Sequence, residues 1–448
     1  MRAGARRFVL ASAFAALLTP SIVIAAAVDD VDAGLTAFQR AEYADAVRLF
    51  SRAIDSAELT GNNLAAAHSN RGLARAGAGD HAGAIADFDR ALALRPDSGA
   101  ALAARATSLR ALARLDDAAA DAQKALPLDT NDGAARHALA AVRFDQGRFD
   151  EAVQLYTALL QGNATDTVAL TNRGMAYLAL NDPPKAVPEF AAVMRLQPNN
   201  AIAAYNRGLG FAQAQVWDRA DADFQAAIRL KPDFAEAHYQ RGVTWLARDR
   251  ADWAEEEFDA TLQIDPKHMP ALIGRANARN QRNNLQGALA DVEAALALQP
   301  TNAEALALRG GLRVALGVLT EAIGDYDRIL QVQPNNVLAI ANRASVLARL
   351  GNFAEAARGF GRVAELNPDD WRAYAMRGTA YRLLGRPTDA LADHTRAAAL
   401  APEVAANHFA VGIDRMLTGD AAGAVGDFTA TLARDAKFGD ALAARGEL

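Results

Sequence analysis

Proline recurs every 34 residues along most of this chain. Steps of 34 from residue 96 lead to eleven positions, and eight of them are proline: Pro96, Pro198, Pro232, Pro266, Pro300, Pro334, Pro368 and Pro402. No residue is gained or lost between the steps, so the register is strict. A period of this length is typical of a helical solenoid, in which each repeat buries its apolar face only against its neighbours. The sequence therefore predicts an all-α chain that is mostly binding surface.

Three further columns keep the same register. Twelve residues before each proline position stands alanine, eleven times between Ala84 and Ala424. Twenty-four residues before it stands only glycine or alanine. Eight residues before it stands a ring in nine repeats: Phe88, Tyr156, Phe190, Phe224, Phe258, Tyr326, Phe360, His394 and Phe428. The small columns predict two closely packed helices per repeat, because a larger residue there would cost about 1–3 kcal/mol by overpacking.

Small residue, alanine, ring and proline at these spacings resemble the tetratricopeptide repeat, and the chain is similar to bacterial exported proteins with many such repeats. The resemblance implies a right-handed superhelical solenoid of antiparallel helix pairs, which we term helix A and helix B, with about twelve repeats. We divide the chain into a first repeat at 28–64, which carries an insertion at Glu58–Leu64, and eleven 34-residue units at 65–438. Residues 439–448 form either a partial repeat or a short C-terminal cap.

The N-terminus differs from the repeats. Met1–Arg7 contains three arginines, the stretch Phe8–Ala27 is apolar, and Ala25–Ala27 provides small residues of the kind that signal peptidase cleaves. These features predict a signal peptide at 1–27 and a periplasmic bacterial protein. An uncleaved inner-membrane anchor is the alternative, because about 20 apolar residues can span a bilayer. No later segment of the sequence is predicted to span a membrane.

Composition excludes several function classes. The chain has no cysteine, so disulfides, thiol catalysis and thiolate metal sites are absent. Removal of residues 1–27 with their three arginines would leave 44 basic and 53 acidic residues, a net charge of −9. A nucleic-acid footprint requires a basic surface, so we expect no nucleic-acid partner.

Arginine on helix A and an acid on helix B recur together. Arginine precedes the Gly/Ala column in nine of eleven repeats, and an acid precedes the ring column in nine of eleven. The pairing predicts a structural ladder that joins the two helices, and its members in three consecutive repeats are Arg173, Arg207, Arg241, Glu189, Asp223 and Glu257. The alternative is a row of arginines that binds an acidic ligand. Isolated exposed pairs of this kind contribute about 0–1 kcal/mol each.

The resemblance also implies a binding groove, because the A helices of this family line its concave side. Helix A of repeats five to seven combines amides with aromatic and aliphatic residues, a mixture that interface cores favour. Amide side chains can both donate to and accept from a peptide backbone. The predicted groove residues are Asn172, Met175, Leu178, Tyr205, Asn206, Leu209, Tyr239, Gln240, Val243 and Leu246. The alternative is that these residues merely pack neighbouring A helices.

No catalytic motif interrupts the repeats. The seven histidines form no i, i+4 pair, and no metalloprotease, P-loop or nucleophile-elbow motif occurs. We therefore expect no enzyme activity, no catalytic residue, no metal and no cofactor. Two functions remain: an adaptor in the cell envelope that binds a protein or peptide in the groove, and a self-associating scaffold that uses the C-terminal end as a homo-oligomer contact.

Overall fold

The computed structural model describes residues 25–128 and 133–447. Within these ranges the chain forms 25 α-helices and one short 3-10 turn at Leu126–Leu128, with no β-strand. The all-α prediction is confirmed. The predicted signal peptide lies outside the described residues, apart from its last three positions.

The chain divides into two compact units, Met1–Thr244 and Trp245–Leu448, and the boundary falls within the thirteenth helix. The helices of the first unit alternate as A and B helices of successive repeats. They are α1 Ala25–Gln39, α2 Tyr43–Asp55, α3 Gly61–Gly77, α4 His81–Leu94, α5 Gly99–Ala111, α6 Leu115–Ala125, α7 Ala134–Asp145, α8 Phe149–Gly162, α9 Thr167–Ala179, α10 Pro183–Leu196, α11 Ala201–Gln213, α12 Trp217–Leu230 and the greater part of α13 Ala235–Leu246.

The second unit continues the alternation to the end of the chain. Its helices are α14 Ala251–Ile264, α15 Met269–Gln281, α16 Leu285–Leu298, α17 Ala303–Ala315, α18 Leu319–Val332, α19 Val337–Arg349, α20 Phe353–Leu366, α21 Trp371–Leu383, α22 Pro387–Leu400, α23 Ala405–Leu417, α24 Ala421–Arg434 and α25 Gly439–Gly446.

The small columns are the points of closest packing. Every alanine of the alanine column, from Ala46 to Ala424, is fully buried. A Cβ atom added at Gly72 would lie 2.8 Å from the ring of Phe88, and one at Gly208 would lie 2.7 Å from the ring of Phe224. The ring of helix B therefore packs directly on the glycine of helix A in its own repeat. Because interiors are close-packed, neither column can accept a larger side chain without moving the helices apart.

Polar side chains cap the N-termini of many A helices. The residue two positions after the proline position accepts a backbone N–H as an N-cap at seven repeats: Ser98, Asp166, Asn200, His268, Asn302, Asn336 and Asp370. Each such cap satisfies N–H groups that have no partner within the helix. The proline ends one repeat, and the cap then starts helix A of the next.

Candidate partner-binding site

The predicted groove lies on a row of A helices in the first unit. Helix α7 packs against α9, and α9 packs against α11, so neighbouring A helices lie side by side. Residues at equivalent positions of these helices therefore form one surface, which we call the A-helix face. Nine of the ten predicted groove residues belong to the first unit. The tenth, Leu246, is half-buried and falls in the second unit, so it is described separately from the others.

Tyr205 is the centre of an aromatic group on this face. Its ring centroid lies 5.0 Å from that of Phe234 and 5.9 Å from that of Phe224. Burial raises the pKa of the Tyr205 hydroxyl well above its ordinary value, and the charge of Glu236 acts in the same direction, whereas a hydrogen bond with Gln240 opposes both. The ring is thus an amphipathic anchor: its body is packed, and its hydroxyl meets an amide of the next repeat.

The three predicted amides differ in how far a partner could reach them. Asn206 is only 6% exposed. Asn172 is half-buried beside the hydroxyl of the buried Tyr156, and its Nδ2 atom has no hydrogen-bond partner among the described residues. Gln240 is half-buried and hydrogen-bonds Tyr205. An asparagine row that reads a peptide backbone would therefore require the side chain of Asn206 to turn outward.

The apolar members of the groove are more accessible. Val243 is exposed, whereas Met175, Leu178, Leu209 and Tyr239 are half-buried. Leu178 also approaches the next A helix, because its Cδ2 would lie 3.7 Å from a Cβ at Gly210. Some of these side chains thus pack neighbouring helices and present only their remaining surface to a partner.

The arginines of the ladder face acids at close range. Arg207 Nε and Nη2 donate to the two carboxylate oxygens of Asp223 at 2.8 and 2.7 Å, and Arg173 Nη2 donates to Glu189 Oε1 at 2.7 Å. Hydrogen bonding to Asp223 raises the pKa of Arg207 above its ordinary value. Bidentate pairs of this kind combine charge with a fixed geometry. The Arg207 and Arg173 side chains thus join helix A to helix B within their own repeats.

Several arginines also contact the preceding repeat. Arg241 Nε donates to Asp221 at 2.6 Å, Arg173 Nη1 donates to Thr157 at 3.1 Å, and Arg275 Nη1 donates to Asp259 at 2.6 Å. The ladder is therefore a connection between repeats as well as between the two helices of one repeat. Glu257, which the sequence analysis assigns to the ladder, also has an interaction partner.

One buried polar network has no counterpart in the sequence interpretation. His394 occupies the ring column and is 1% exposed. Its Nδ1 lies 2.5 Å from Asp414 Oδ2, and its Nε2 lies 3.1 Å from the carbonyl oxygen of Ala375. Arg382 Nε donates to the other carboxylate oxygen of Asp414 at 2.6 Å. The only sequence signal was an imidazole where the other repeats have a phenyl or phenol ring.

A set of exposed apolar residues in the second unit was also missed. Leu338, Met376, Leu383 and Leu417 on helices α19, α21 and α23 are 41–64% exposed. Leu383 and Leu417 stand one repeat apart, at equivalent positions of their helices. Clustered exposed aliphatic side chains mark interaction surfaces more reliably than single ones. The signal in the sequence is leucine at the same position of two successive repeats, Leu383 and Leu417.

Family models match most of the repeats in this chain. Three models, each described as tetratricopeptide repeat, match residues 65–98, residues 143–206, and the ranges 210–268, 273–337 and 342–405. Together they cover more than half of the chain. The chain belongs to the tetratricopeptide repeat family. The expected fold, an all-α array of these repeats, is confirmed.

The chain also aligns with solved structures, each at a TM-score below 0.5. The chain is 17% identical to yeast Tom70, with 88% of this chain and 96% of that chain covered and a TM-score of 0.40. It is 22% identical to a tetratricopeptide repeat protein from Parabacteroides merdae, with coverages of 55% and 97% and a TM-score of 0.42. It is 25% identical to YrrB, described as a TPR protein with an unusual peptide-binding site, with coverages of 41% and 95% and a TM-score of 0.35. No curated protein sequence matches the chain.

Tetratricopeptide repeat proteins generally mediate protein–protein interactions. Two further observations concern membrane-spanning helices and metal sites. None of the helices in the described ranges is long and apolar enough to cross a membrane. In the same ranges, no three or more acidic or histidine side chains are grouped so that they could hold a metal ion.

Proposed function

We propose that this protein is a non-enzymatic adaptor that binds a peptide or protein segment on the A-helix face of its first unit. The observation that carries the proposal is the packing of α9 against α11, which places Met175 and Leu209 at equivalent positions of neighbouring helices. The hydrogen bond between Tyr205 and Gln240 connects α13, which carries Val243, to the same face. Aromatic and aliphatic anchors beside amides favour the burial of an extended or helical segment.

The proposed site can be tested by photo-crosslinking in the source organism. A photoreactive phenylalanine analogue replaces the exposed Val243, and the matched control carries it at Gln225, which is exposed on helix B of the preceding repeat. We expect position 243 to form an adduct with a partner protein and position 225 to form none. Equal adducts at both positions, or none at either, would contradict a binding site on the A-helix face.

A point variant then tests the chemistry of that face. Val243→Asp places a charge at an exposed position beside the aromatic and apolar residues of the face and empties no buried site, so the fold should be retained while partner capture falls at least tenfold. Circular dichroism serves as the control for folding. Retained capture by a folded variant would indicate that the partner binds elsewhere.

We further propose that the adaptor works in the cell envelope of a bacterium, as a periplasmic protein released from its signal peptide. The support is the arginine-rich start, the apolar stretch and the alanine triplet of residues 1–27. Cell fractionation with intact-mass measurement distinguishes this from an uncleaved anchor. A mature protein in the soluble envelope fraction is expected, whereas a full-length protein that stays with the inner membrane would support the anchor.

Self-association is the second candidate function. Helix α25 packs against α24 with Ala441 fully buried, yet Leu442 on the same helix is 48% exposed. An exposed leucine at this position could contact a second copy of the chain. Light scattering of wild type and Leu442→Asp tests the idea: an oligomer that dissociates in the variant supports it, and a monomeric wild type removes it.

A further inference from the structure

We infer that a buried histidine makes the junction between the eleventh and twelfth repeats depend on a proton. The group, which we call the His394 junction, consists of Arg382 on α21, His394 on α22 and Asp414 on α23. The doubly protonated imidazole holds α23 against α21 and α22, and loss of one ring proton loosens the junction. The inference is independent of any binding site on the A-helix face.

Two members of the junction depart from the repeat pattern. His394 is the one imidazole among the eleven residues of the ring column. Asp414 stands two residues after the Gly/Ala column, where the other ten repeats of the strict register have only uncharged residues, from Ala74 to Ala380. The two departures contact each other. Positions that break the local rules of a fold are expected at functional or strained sites rather than in ordinary packing.

The junction is buried. The side chain of His394 is 1% exposed and that of Asp414 is fully buried, whereas that of Arg382 keeps 24% of its surface in solvent. The imidazole fills the place of the phenyl ring in other repeats, because a Cβ at Gly378 would lie 2.9 Å from it. Apolar residues of similar volume are often as stable as a buried ion pair, since desolvation offsets the attraction of the charges. A gain in stability alone therefore does not explain charges at these positions.

Both ring nitrogens of His394 face oxygen acceptors. Nδ1 lies 2.5 Å from Asp414 Oδ2, and Nε2 lies 3.1 Å from the carbonyl oxygen of Ala375. A neutral imidazole has one N–H and one lone pair, so it can donate to only one of these oxygens. The imidazolium form donates to both. The two contacts together therefore fit the doubly protonated ring.

Each neutral form of the ring opposes two electron-rich atoms. With the proton on Nε2, the lone pair of Nδ1 would face the Asp414 carboxylate at 2.5 Å. With the proton on Nδ1, the lone pair of Nε2 would face the Ala375 carbonyl. The Thr379 hydroxyl lies 3.4 Å from Nε2, but it already donates to that carbonyl at 2.9 Å. A buried polar contact of this kind costs free energy, which a rearrangement of the junction would relieve.

The charges around the ring come from all three helices. On α21, Arg382 Nε donates to the other carboxylate oxygen of Asp414 at 2.6 Å, and its Nη2 lies 3.2 Å from Nδ1 of the ring. On α22, Asp393 stands next to His394 and accepts from Arg377 of α21 at 2.7 Å. One carboxylate, Asp414, thus meets two cations when the ring is protonated. The partial exposure of Arg382 lowers the cost of this arrangement, because solvent screens its charge.

The proton dependence has a definite sign. The second ring proton completes hydrogen bonds that exist only in the folded chain, so the folded junction gains stability from it and loses that stability as the pH rises. Histidine ordinarily changes its charge between about pH 5 and 8. Because each repeat of a solenoid is held by its neighbours, the effect should be confined to α21–α24.

Hydrogen exchange of the purified full chain at two pH values tests the inference. After correction for the intrinsic exchange rate, amides of α23 and α24 should open roughly tenfold more often at about pH 8 than at about pH 5. Amides of α15–α18 should show no such change, because the junction does not reach them. An equal opening of α23 and α24 at both pH values, or a larger one at the lower pH, would overturn the inference.

Variants assign the effect to the junction. His394→Phe/Asp414→Ala gives each position the residue of the preceding repeat, so the variant should fold and lose the pH response. Asp414→Asn keeps the shape, removes the charge that favours the ring proton and should weaken the response. His408→Gln is the matched control, because it removes a half-buried histidine of α23 whose Nε2 lies 3.0 Å from the carbonyl oxygen of Pro402. A response that persists in the folded double variant, or that His408→Gln abolishes, would refute the assignment.

Discussion

At the residue scale, one methylene group distinguishes the ladder acid of the fifth repeat, Glu189, from that of the sixth, Asp223. Where the ladder acid is aspartate, as in the pair Arg207–Asp223, both carboxylate oxygens are engaged. In the fifth repeat the acid is Glu189, and only its Oε1 is bound. Glu189 Oε2 and Arg173 Nε are buried without a hydrogen-bond partner in the described chain. The longer side chain therefore misaligns the carboxylate with the guanidinium group.

Shortening this acid should stabilise the protein. Glu189→Asp is expected to restore the bidentate pair and to raise the free energy of unfolding by about 1 kcal/mol, because an unsatisfied buried polar atom costs about 1–3 kcal/mol. Chemical denaturation measures the change in the free energy of unfolding, and hydrogen exchange in α9 and α10 shows whether the change is local. Glu189→Gln is the control, since it keeps the length but loses the charge, and it should destabilise. A variant Glu189→Asp that is less stable than wild type would contradict the geometry.

At the element scale, the turn between helix A and helix B has one conformational requirement. Its central residue has a positive φ in every repeat, from 57° to 88°. Six repeats provide glycine, which adopts this region without steric cost, whereas the others place Ala41, Ala113, Asn181, Gln215, Asp249 or Asn283 there. Cβ-bearing residues other than asparagine and aspartate adopt a left-handed conformation at a cost of about 1–2 kcal/mol.

Glycine should therefore be favoured at the three turns that carry Ala41, Ala113 or Gln215. Ala113→Gly and Gln215→Gly relieve the strain at φ 60° and 58°, and each should stabilise its helix pair by about 0.5–1 kcal/mol after the entropy of glycine in the unfolded chain is subtracted. Gly317→Ala, at φ 79°, introduces the same strain and should destabilise. Thermal unfolding compares the three variants, and a loss of stability on either change to glycine would refute the explanation.

At the scale of the whole molecule, each repeat contacts only its neighbours, and stability is expected to be local. Within the described residues, the helices in closest contact are consecutive ones and the A helices of adjacent repeats. The free energy of a solenoid is then approximately a sum of repeat and interface terms. A destabilising substitution in one repeat should therefore lower the stability of that repeat and its neighbours only. In a domain with one shared core it would lower the stability of the whole domain.

A cavity in the second repeat tests this locality. Phe88 is fully buried against Gly72, and Phe88→Ala should cost about 3–5 kcal/mol locally. Hydrogen exchange should accelerate in α3–α6 and remain unchanged in α21–α24. Ala222→Ser, at an exposed site on α12, serves as the control and should alter neither region. Uniform acceleration along the chain would show that the array unfolds as one cooperative unit.

The fold could be predicted from the sequence because its determinants are local and repeated. The spacing of proline, alanine and ring residues specifies helix pairs in which each helix packs on its neighbour, so contacts such as that of Phe88 on Gly72 follow from a fixed separation of 16 residues. The pairing of arginine with acid follows from the same separation. A period repeated eleven times averages out the irregular positions that make single elements hard to predict.

The accessibility of individual side chains was decided by tertiary packing. Asn206 and Gln240 occupy equivalent positions in the sequence, yet the first is buried and the second is half-buried beside Tyr205. Leu383 and Leu417 resemble any other helical leucine until the structure shows them on one exposed face. Periodicity determines which helix packs on which, because it acts through the backbone spacing. What each face offers to a partner depends on contacts between repeats, which no single 34-residue unit contains.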